Sequence, residues 1–505
     1  MKKLLVVALV AMLMVPVFAG GASETAAPVA KDEVTFVVSG NPYRFFHLTA
    51  QGCGGDDNIV LANIYDNLLC LENDGSLSNS LAESYDLSTD GTVYTFHLRK
   101  NVTFSNGMPL TAEDVKWSLD KGAAGPLGGA LLINFKECNI IDENTVEVVL
   151  TAPYAAFPYC VASRVGGIAC KAYWEQVGDE GYSAAPIGSG PYVLTDYAAN
   201  DHITLTANPT HWRGEAPIKT VDIQLVADIN TMILGLQNGD YDVMGNPSVE
   251  IVKRFEKDNN ILTDVADSTG RISLYLNAWS GIGQDINLRK AVQYAIDKDE
   301  INIAVNNGAA KVIDIDMCPM YTGHPHEGLN IVKKDVAKAK EYLAASSYNG
   351  EPYGILCQAG TDYETVAKVI QAQLLEVGIN CKVEAVDNTT LRTRDTKRDF
   401  DCYLCNNLSS LPDADAIAGM FKPTRFPEPV WYPRTMEIYD LSQKGCSVPA
   451  DQREPIYTTI CNIITDEAYI VPLYNGITSI AYNAELDGVG AHCLNYYLFR
   501  YWNWK

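Results

Sequence analysis

A helical pattern that passes directly into a strand pattern is the feature that most constrains the fold of this chain. Apolar residues recur at helical spacing between Val366 and Leu374, and Gly378 ends that pattern. From Ile379 to Val386 apolar residues alternate with polar ones, which is the period of a half-buried strand. A helix followed at once by a strand is typical of α/β units. The sequence therefore predicts a mixed α/β fold.

Other segments of the chain carry the same two patterns. Tyr94, Phe96 and Leu98 alternate with polar residues and predict a strand. Thr111 and Asp114 have the spacing of a helix N-terminal capping box, so a helix is expected to begin there. Apolar stripes and capping residues predict further helices over 288–296, 297–308 and 336–343.

The N-terminus has the composition of an export signal. Lysines precede an apolar run from Leu4 to Phe18, which predicts a secretory signal peptide over residues 1–19 with cleavage after Ala19. Residues 20–33 are expected to form a flexible leader. A lipid anchor would need a cysteine directly after the cleavage site, and the first cysteine is Cys53. We therefore expect a soluble periplasmic protein without a lipid anchor.

The charge of the chain argues against two classes of partner. The formal net charge is −24 over 505 residues. So acidic a protein repels nucleic-acid phosphates and anionic lipid surfaces. No nucleic-acid or membrane-surface partner is expected.

The 13 cysteines cannot all pair within one chain. Some disulfides are expected in an oxidising compartment, whereas an anaerobic source would leave the thiols reduced. Cys402 and Cys405 have C-x-x-C spacing, but they continue a predicted strand and no second pair follows at zinc spacing. His324 and His326 lack an evident third ligand. We predict no metal site and no cofactor.

Several motifs follow one another in a fixed order along the chain. The segment from Leu81 reads LAESYDLSTDGTVYTFHLRKNVTFSNGMPLTAEDVKWSLDK, and IGSGPYVL, LGLQNGDYDV, INLRKAVQYAIDKDEI and RDFDCYL begin at Ile187, Leu234, Ile286 and Arg398. In sequence and order these segments resemble the peptide, dipeptide and nickel-binding family of extracellular solute-binding proteins.

The resemblance implies a periplasmic-binding-protein fold with two lobes and an extra domain. Domain I would combine residues 34–58, 187–271 and 481–505, domain II would span 59–186, and domain III would span 272–480. A ligand would lie between domains I and III and be enclosed when the lobes close about a hinge. The implied function is that of a monomeric receptor that delivers a peptide, or alternatively an oligosaccharide, to the permease subunits of an ABC importer.

The resemblance also locates the segment where peptide-binding members hold the ligand's amino group with an Asp near a Trp. Here Asn407 takes the Trp position and Ser410 takes the Asp position, while Asp413 and Asp415 follow. Because a carboxylate and an ammonium make a strong charge-assisted pair, losing it should change the ligand class. Either Asp413 replaces the usual anchor, or the ligand has no free ammonium group.

Further ligand-binding candidates are polar or aromatic residues at the end of the strand LYLNA, which also resembles the family, in the loop VPLYNG and in the first loop of domain I. Aromatic side chains can stack on sugar rings or peptide planes while offering a polar tip. These candidates are Trp279, Asn277, Tyr474, Asn475, Tyr43 and Arg44.

Catalytic motifs are absent from the sequence. It contains no G-x-S-x-G, H-E-x-x-H or Walker motif, so no catalytic residue is predicted and an enzyme is not expected. Two alternatives of another class are a glycosidase-like enzyme with paired carboxylates and a receptor that reports to a membrane sensor.

Overall fold

The computed structural model describes residues 31–49, 54–422 and 432–505. Asp32–Lys505 form one compact unit. The predicted signal peptide, most of the predicted leader and Cys53 lie outside the described residues. Among the helices within the described ranges, none combines the length and the apolar character needed to cross a bilayer.

The strands are spread along the whole chain. They are β1 Glu33–Val38, β2 Leu69–Leu71, β3 Leu77–Asn79, β4 Ala82–Leu87, β5 Val93–Leu98, β6 Phe135–Asp142, β7 Thr145–Leu150, β8 Tyr192–Ala198, β9 His202–Ala207, β10 Thr220–Leu225, β11 Val243–Gly245, β12 Ile261–Leu276, β13 Tyr353–Gln358, β14 Cys381–Val386, β15 Cys402–Leu408, β16 Ile470–Asn483, β17 Leu486–Asp487 and β18 Asn503–Trp504.

The α-helices alternate with these strands. They are α1 Asn58–Ile64, α2 Ala112–Ala124, α3 Gly128–Leu131, α4 Phe157–Val161, α5 Lys171–Ala184, α6 Ile229–Asn238, α7 Val249–Phe255, α8 Ile286–Ala295, α9 Lys298–Asn306, α10 Val336–Ala345, α11 Asp362–Val377, α12 Asn388–Lys397, α13 Thr435–Ser447 and α14 Glu454–Asp466.

A ten-stranded mixed sheet forms the centre of the fold. Its strand order is β14-β13-β15-β12-β16-β11-β1-β10-β9-β8. Parallel pairs such as β1 with β10 and β13 with β14 lie on the two sides of the central antiparallel pair β12 and β16. This arrangement confirms the predicted α/β class.

The central strands β12 and β16 connect the two halves of the sheet. β12 pairs with β15 over its second half, and β16 pairs with β11 over its last residues. The register of β12 against β16 shifts between Asp267 and Arg271 and again between Ile272 and Ser273. The predicted limit of domains I and III on this strand, between Arg271 and Ile272, lies at this irregularity. The domain limits as a whole stay a prediction.

A separate four-stranded antiparallel sheet, ordered β4-β5-β7-β6, lies within residues 82–150. Helix α2 packs its buried Val115 and Leu119 into the same apolar core as Phe96 of β5. The capping box predicted from Thr111 and Asp114 is present at the start of α2. The local prediction for this segment is thus confirmed.

The helix and strand that constrained the fold are α11 and β14. α11 buries Val366, Ile370 and Leu374, and Gly378 ends it with a φ of 103° in the left-handed region that favours glycine. β14 begins at Cys381 and runs parallel to β13. A parallel neighbour joined through helices is the expected outcome of such an α/β unit.

The expectation of disulfides is wrong for the described cysteines. All twelve of them are free thiols. Cys357, Cys381 and Cys402 are buried in one apolar core on three different strands. They act there as small apolar side chains, which removes the need for a partner thiol.

Candidate functional site

Two neighbouring cavities lie where distant parts of the chain meet. The first has a volume of about 80 Å³. Helix α1 contributes Leu61 to its wall, and the loop after α4 contributes Arg164. The C-terminal segment contributes Tyr496 and Arg500, and Ser410 lies on the remaining side. The four contributions come from segments that lie 86 or more positions apart in the chain.

The second cavity has a volume of about 360 Å³ and adjoins the first. Arg164, Leu408 and Ser410 line both cavities. Tyr154 lies on one wall of the second cavity, and Arg271 at the irregularity of β12 lies on another. Together the two spaces have the size of a pocket for a small molecule.

Asp413 in the second cavity is paired with an arginine of this chain. Arg453 donates from Nη1 and Nη2 to the two carboxylate oxygens at 2.7 and 2.6 Å. Both side chains are buried. Burial raises the pKa of Asp413, and the Arg453 guanidinium acts in the opposite direction. The geometry is the bidentate form of an arginine–carboxylate pair.

Asp415 lies behind Asp413 and is also partnered. Its backbone N–H donates to Asp413 Oδ1 at 2.9 Å, and Ser442 Oγ donates to its carboxylate. Lys422 Nζ lies 3.9 Å from its Oδ2. The two predicted carboxylates therefore belong to one hydrogen-bonded cluster.

Arg271 is held by an acidic residue from outside β12. Its Nε lies 3.1 Å from Asp316 Oδ2, and it donates from Nη2 to the carbonyl oxygen of Ala416 at 3.1 Å. Tyr275 donates to the same carboxylate oxygen of Asp316 at 2.9 Å. Burial lowers the pKa of Arg271. Nearby acidic groups, Asp316 first, raise this pKa by more than burial lowers it, so the guanidinium stays charged.

The charged groups of the first cavity are Arg500, Asp66 and Arg164. Arg500 Nη2 lies 3.3 Å from Glu72 Oε1. Asp66 Oδ2 accepts from Ser189 Oγ at 3.1 Å and from Trp212 Nε1 at 3.0 Å. The side chains of Arg500 and Asp66 are thus already engaged in contacts within the chain.

Arg164 differs from the other cations of the two cavities in having no carboxylate partner among the described residues. Its Nε is buried and has no hydrogen-bond partner, a property that it shares with the Nε atoms of Arg271 and Arg500. Among residues 31–49, 54–422 and 432–505, no carboxylate lies within 4.0 Å of its guanidinium. No motif in the sequence marks this arginine, which follows Ser163 in an irregular loop.

Four of the ten predicted site residues line the second cavity. They are Asn407, Ser410, Asp413 and Asp415. Asn407 lies opposite Arg271 on the paired strand, and its side-chain amide donates to Tyr275.

The other six predicted residues line neither cavity. Asn277 accepts from the backbone N–H groups of Trp279 and Ser280 at 3.0 Å each and so shapes the turn after β12. Trp279 packs edge-on against Phe400 and Tyr432. These residues contribute to the folding of the region beside the sheet.

Tyr474 and Asn475 lie on β16 and are buried. Asn475 Nδ2 donates to the carbonyl oxygen of Ser268 at 3.2 Å, where β12 is irregular. Tyr43 is 51% exposed, and the backbone N–H groups of Tyr43 and Arg44 donate to one Asp57 carboxylate oxygen.

No group of three or more His, Cys, Asp or Glu side chains in the described part of the chain has the arrangement of a metal site. His324 and His326 pack with ring centroids 5.1 Å apart.

Cavities between distant segments of a mixed α/β fold are the arrangement of a protein that binds a small molecule. The family model for bacterial extracellular solute-binding proteins, family 5 Middle, matches residues 76–426. The chain belongs to the family 5 bacterial extracellular solute-binding proteins, as the resemblance of its motifs implied.

Individual relatives are more distant. The glutathione-binding protein GsiB of Escherichia coli K12 is 28% identical over 343 residues, an alignment that spans 65% of each chain and thus less than two thirds of GsiB. The probable D,D-dipeptide-binding periplasmic protein DdpA of the same organism is 25% identical over 448 residues, 84% of this chain and 85% of DdpA. These relatives are solute-binding proteins rather than enzymes.

The fold is shared with solved structures. The crystal structure of the ABC transporter substrate-binding protein CtaP from Listeria monocytogenes superposes with a TM-score of 0.85 and 22% identity, covering 94% of this chain and 99% of that one. This similarity confirms the periplasmic-binding-protein fold.

Proposed function

We propose that this chain is an extracytoplasmic receptor of an ABC importer, which captures a peptide-like ligand in the two adjoining cavities by closing its walls around it. The observation that carries the proposal is the double cavity itself, because its walls come from all three of the predicted domains. GsiB and DdpA, which are named for glutathione and D,D-dipeptide binding, support a peptide-like ligand.

Direct contacts between the walls support the closing step. Tyr159, in α4, shares a 2.7 Å hydrogen bond with Thr322. The Ala155 backbone N–H donates to the carbonyl oxygen of Cys446 at 2.8 Å. Such contacts exist only when the walls are close, so they add to the ligand's own preference for the closed state.

The pair β12 and β16 is the proposed hinge. Both strands run through the centre of the large sheet, and the irregular register near Asp267 to Ser273 interrupts their regular hydrogen bonding. A few residues at such a point can absorb the backbone rotation of domain closure.

The remaining parts of the proposal concern the setting of the receptor. The N-terminal segment directs the chain across the inner membrane and is cleaved after Ala19, and the mature protein acts as a periplasmic monomer. Its partners are the small-molecule ligand and the permease subunits of the importer. In this proposal the receptor catalyses no reaction and needs no cofactor.

The test is to identify what the purified protein holds. Native mass spectrometry detects a co-purified ligand by its added mass, and a thermal-shift screen then compares peptides with neutral oligosaccharides. Stabilisation by short peptides, increasing with their concentration, is expected because ligand binds only the folded state. Stabilisation by oligosaccharides alone would mean that the ligand is an oligosaccharide and not a peptide. Hydrolysis of any tested compound would contradict a receptor without catalytic function.

A further inference from the structure

We propose that Arg164 binds a carboxylate group of the ligand, so that the receptor selects compounds with a free acid. This inference rests on the proposed function, since it names the chemistry of the ligand captured in the same cavities. The carboxylate can belong to a peptide C-terminus, an acidic side chain or a sugar acid.

The charges of the cavities leave one cation without a counter-charge. Asp413 is paired with Arg453, Asp316 with Arg271, and Glu72 with Arg500. The remaining close approach, between Lys422 and Asp415, is longer at 3.9 Å. Arg164 alone among these arginines has no carboxylate partner in the part of the chain that the structure describes.

The position of Arg164 fits a group that meets the ligand. It lines both cavities, where only Leu408 and Ser410 do the same. A guanidinium that is partly withdrawn from water without a partner loses hydration and gains nothing within the chain. A ligand carboxylate would supply the missing hydrogen bonds, because the planar guanidinium matches a carboxylate in bidentate geometry.

Among the described residues that line the second cavity, no acidic side chain is free to bind an ammonium group of the ligand. Asp413 and Asp415 are the acidic residues of its wall, and both carboxylates already accept hydrogen bonds from this chain. An ammonium group there would compete with Arg453 for Asp413. The ligand is therefore expected to be held by its acid group more than by its amino group.

The experiment uses the full mature chain and five probe sets. A tripeptide library with free termini is compared with the same library carrying C-terminal amides and with its N-acetylated form, and a uronic-acid disaccharide is compared with its neutral counterpart. Native mass spectrometry selects the bound compounds, and titration calorimetry measures their affinity for the wild type and for Arg164→Gln.

The expected result is that the wild type selects free acids, with or without N-acetylation, and rejects the amides. Arg164→Gln should weaken binding of the selected acid by roughly tenfold to hundredfold, the range for hydrogen bonds to a charged group. Arg164→Lys should recover part of that loss, because it restores the charge without the planar fork.

A matched control separates local contact from net charge. Arg254 is an exposed residue of the last turn of α7 and lines neither cavity. Arg254→Gln removes the same charge and should leave the affinity unchanged. Unfolding midpoints of all three variants verify that each is folded.

Each outcome bears on one of the two proposals. Equal binding of acids and amides by the wild type, or full affinity in Arg164→Gln, overturns the role of Arg164 and leaves the receptor function intact. If the wild type binds the uronic acid but no peptide, and Arg164→Gln loses that binding, the role of Arg164 in binding a carboxylate is supported. The same result overturns the proposal that the ligand is peptide-like. A folded wild type that binds none of the probes overturns both.

Discussion

At the scale of single residues, the pairing of Asp413 with Arg453 determines how much charge the second cavity presents. Both side chains are buried and are joined by two hydrogen bonds. Burying two charges is costly, but removing only one of them leaves the other without compensation. We therefore expect Asp413→Asn to lower the free energy of unfolding by about 3–5 kcal/mol in a urea titration.

A surface pair provides the control for that prediction. Glu83 lies 3.3 Å from Arg99 and is mostly exposed, so Glu83→Gln should cost less than about 1 kcal/mol. The double variant Asp413→Asn/Arg453→Met should recover part of the stability, since it removes both charges. If Asp413→Asn is as stable as the wild type, the pairing of Asp413 with Arg453 does not stabilise the fold.

The hypothesis that Asp413 anchors a ligand ammonium stays a prediction, and it can be measured with the same variant. An anchor would make Asp413→Asn lose its preference for peptides with a free N-terminus over N-acetylated ones. Sequence comparison led to this residue through its spacing after β15. It could not reveal Arg453, which lies 40 positions later and reaches Asp413 only through the tertiary fold.

Two buried histidines predict how stability depends on pH. Burial lowers the pKa of His47 to about 4 and that of His492 to about 3, although each ring nitrogen bonds to a backbone carbonyl that acts in the opposite direction. In the unfolded chain both titrate near 6.5. Between about pH 4 and 6.5 the unfolded state therefore binds more protons, and the free energy of unfolding rises with pH.

The expected slope is about 1.4 kcal/mol per pH unit for each histidine within this window. Their contribution is complete above pH 6.5 and is lost as the pH falls toward 4. Urea unfolding at several pH values measures it, and His47→Gln should flatten the profile while His97→Gln, at a largely exposed position on β5, should not. An unchanged profile in His47→Gln would contradict the assignment.

At the scale of elements, the contact between β12 and β16 depends on a glycine. A Cβ added at Gly476 would lie 2.5 Å from Ser268 Oγ and 3.1 Å from the Gly270 carbonyl oxygen. Gly476→Ala is therefore expected to destabilise the fold by about 1–3 kcal/mol, the usual cost of overpacking. Chemical denaturation measures the change.

Gly129→Ala is the matched control, because a Cβ there meets no atom within 4 Å. Adding Ser268→Ala to Gly476→Ala removes the nearest clashing atom and should return part of the loss. Equal stability of the two single variants would show that this crossing tolerates a side chain.

Elements with a strong local signal were predictable, and those fixed by distant contacts were not. Gly378 marks the end of α11, and the Thr111 capping box marks the start of α2, because both act within a few residues of the chain. The register shift near Arg271 has no such signal. It arises where β12, still paired with β16, gains β15 as its second neighbour.

At the scale of the whole molecule, the family and the α/β class followed from motifs spread along the chain, but the site did not. The cavities combine Leu61, Arg164, Ser410 and Arg500 from segments that meet only in the folded protein. The sequence predicts ligand contacts for Asn277, in the strand LYLNA that resembles the family's, and for Asn475, in the segment VPLYNG. The structure gives their side chains hydrogen bonds at turns and strand crossings instead.

The contact between Tyr159 and Thr322 allows the closing equilibrium to be tested without touching the ligand. Neither side chain lines a cavity, and their hydroxyl groups lie 2.7 Å apart. Tyr159→Phe removes one hydrogen bond, worth about 0.5–1.5 kcal/mol, from the closed state alone. Affinity for the ligand should fall by roughly two- to tenfold, because the binding-competent state becomes less populated.

Small-angle scattering of the ligand-free protein measures the other side of that equilibrium. The radius of gyration of Tyr159→Phe should exceed that of the wild type and return to the same value when ligand saturates both. Tyr85→Phe is the control, since Tyr85 lies on the edge strand β4 and is 39% exposed. A loss of affinity with no change in the ligand-free radius would mean that Tyr159 stabilises one wall rather than the closure of both.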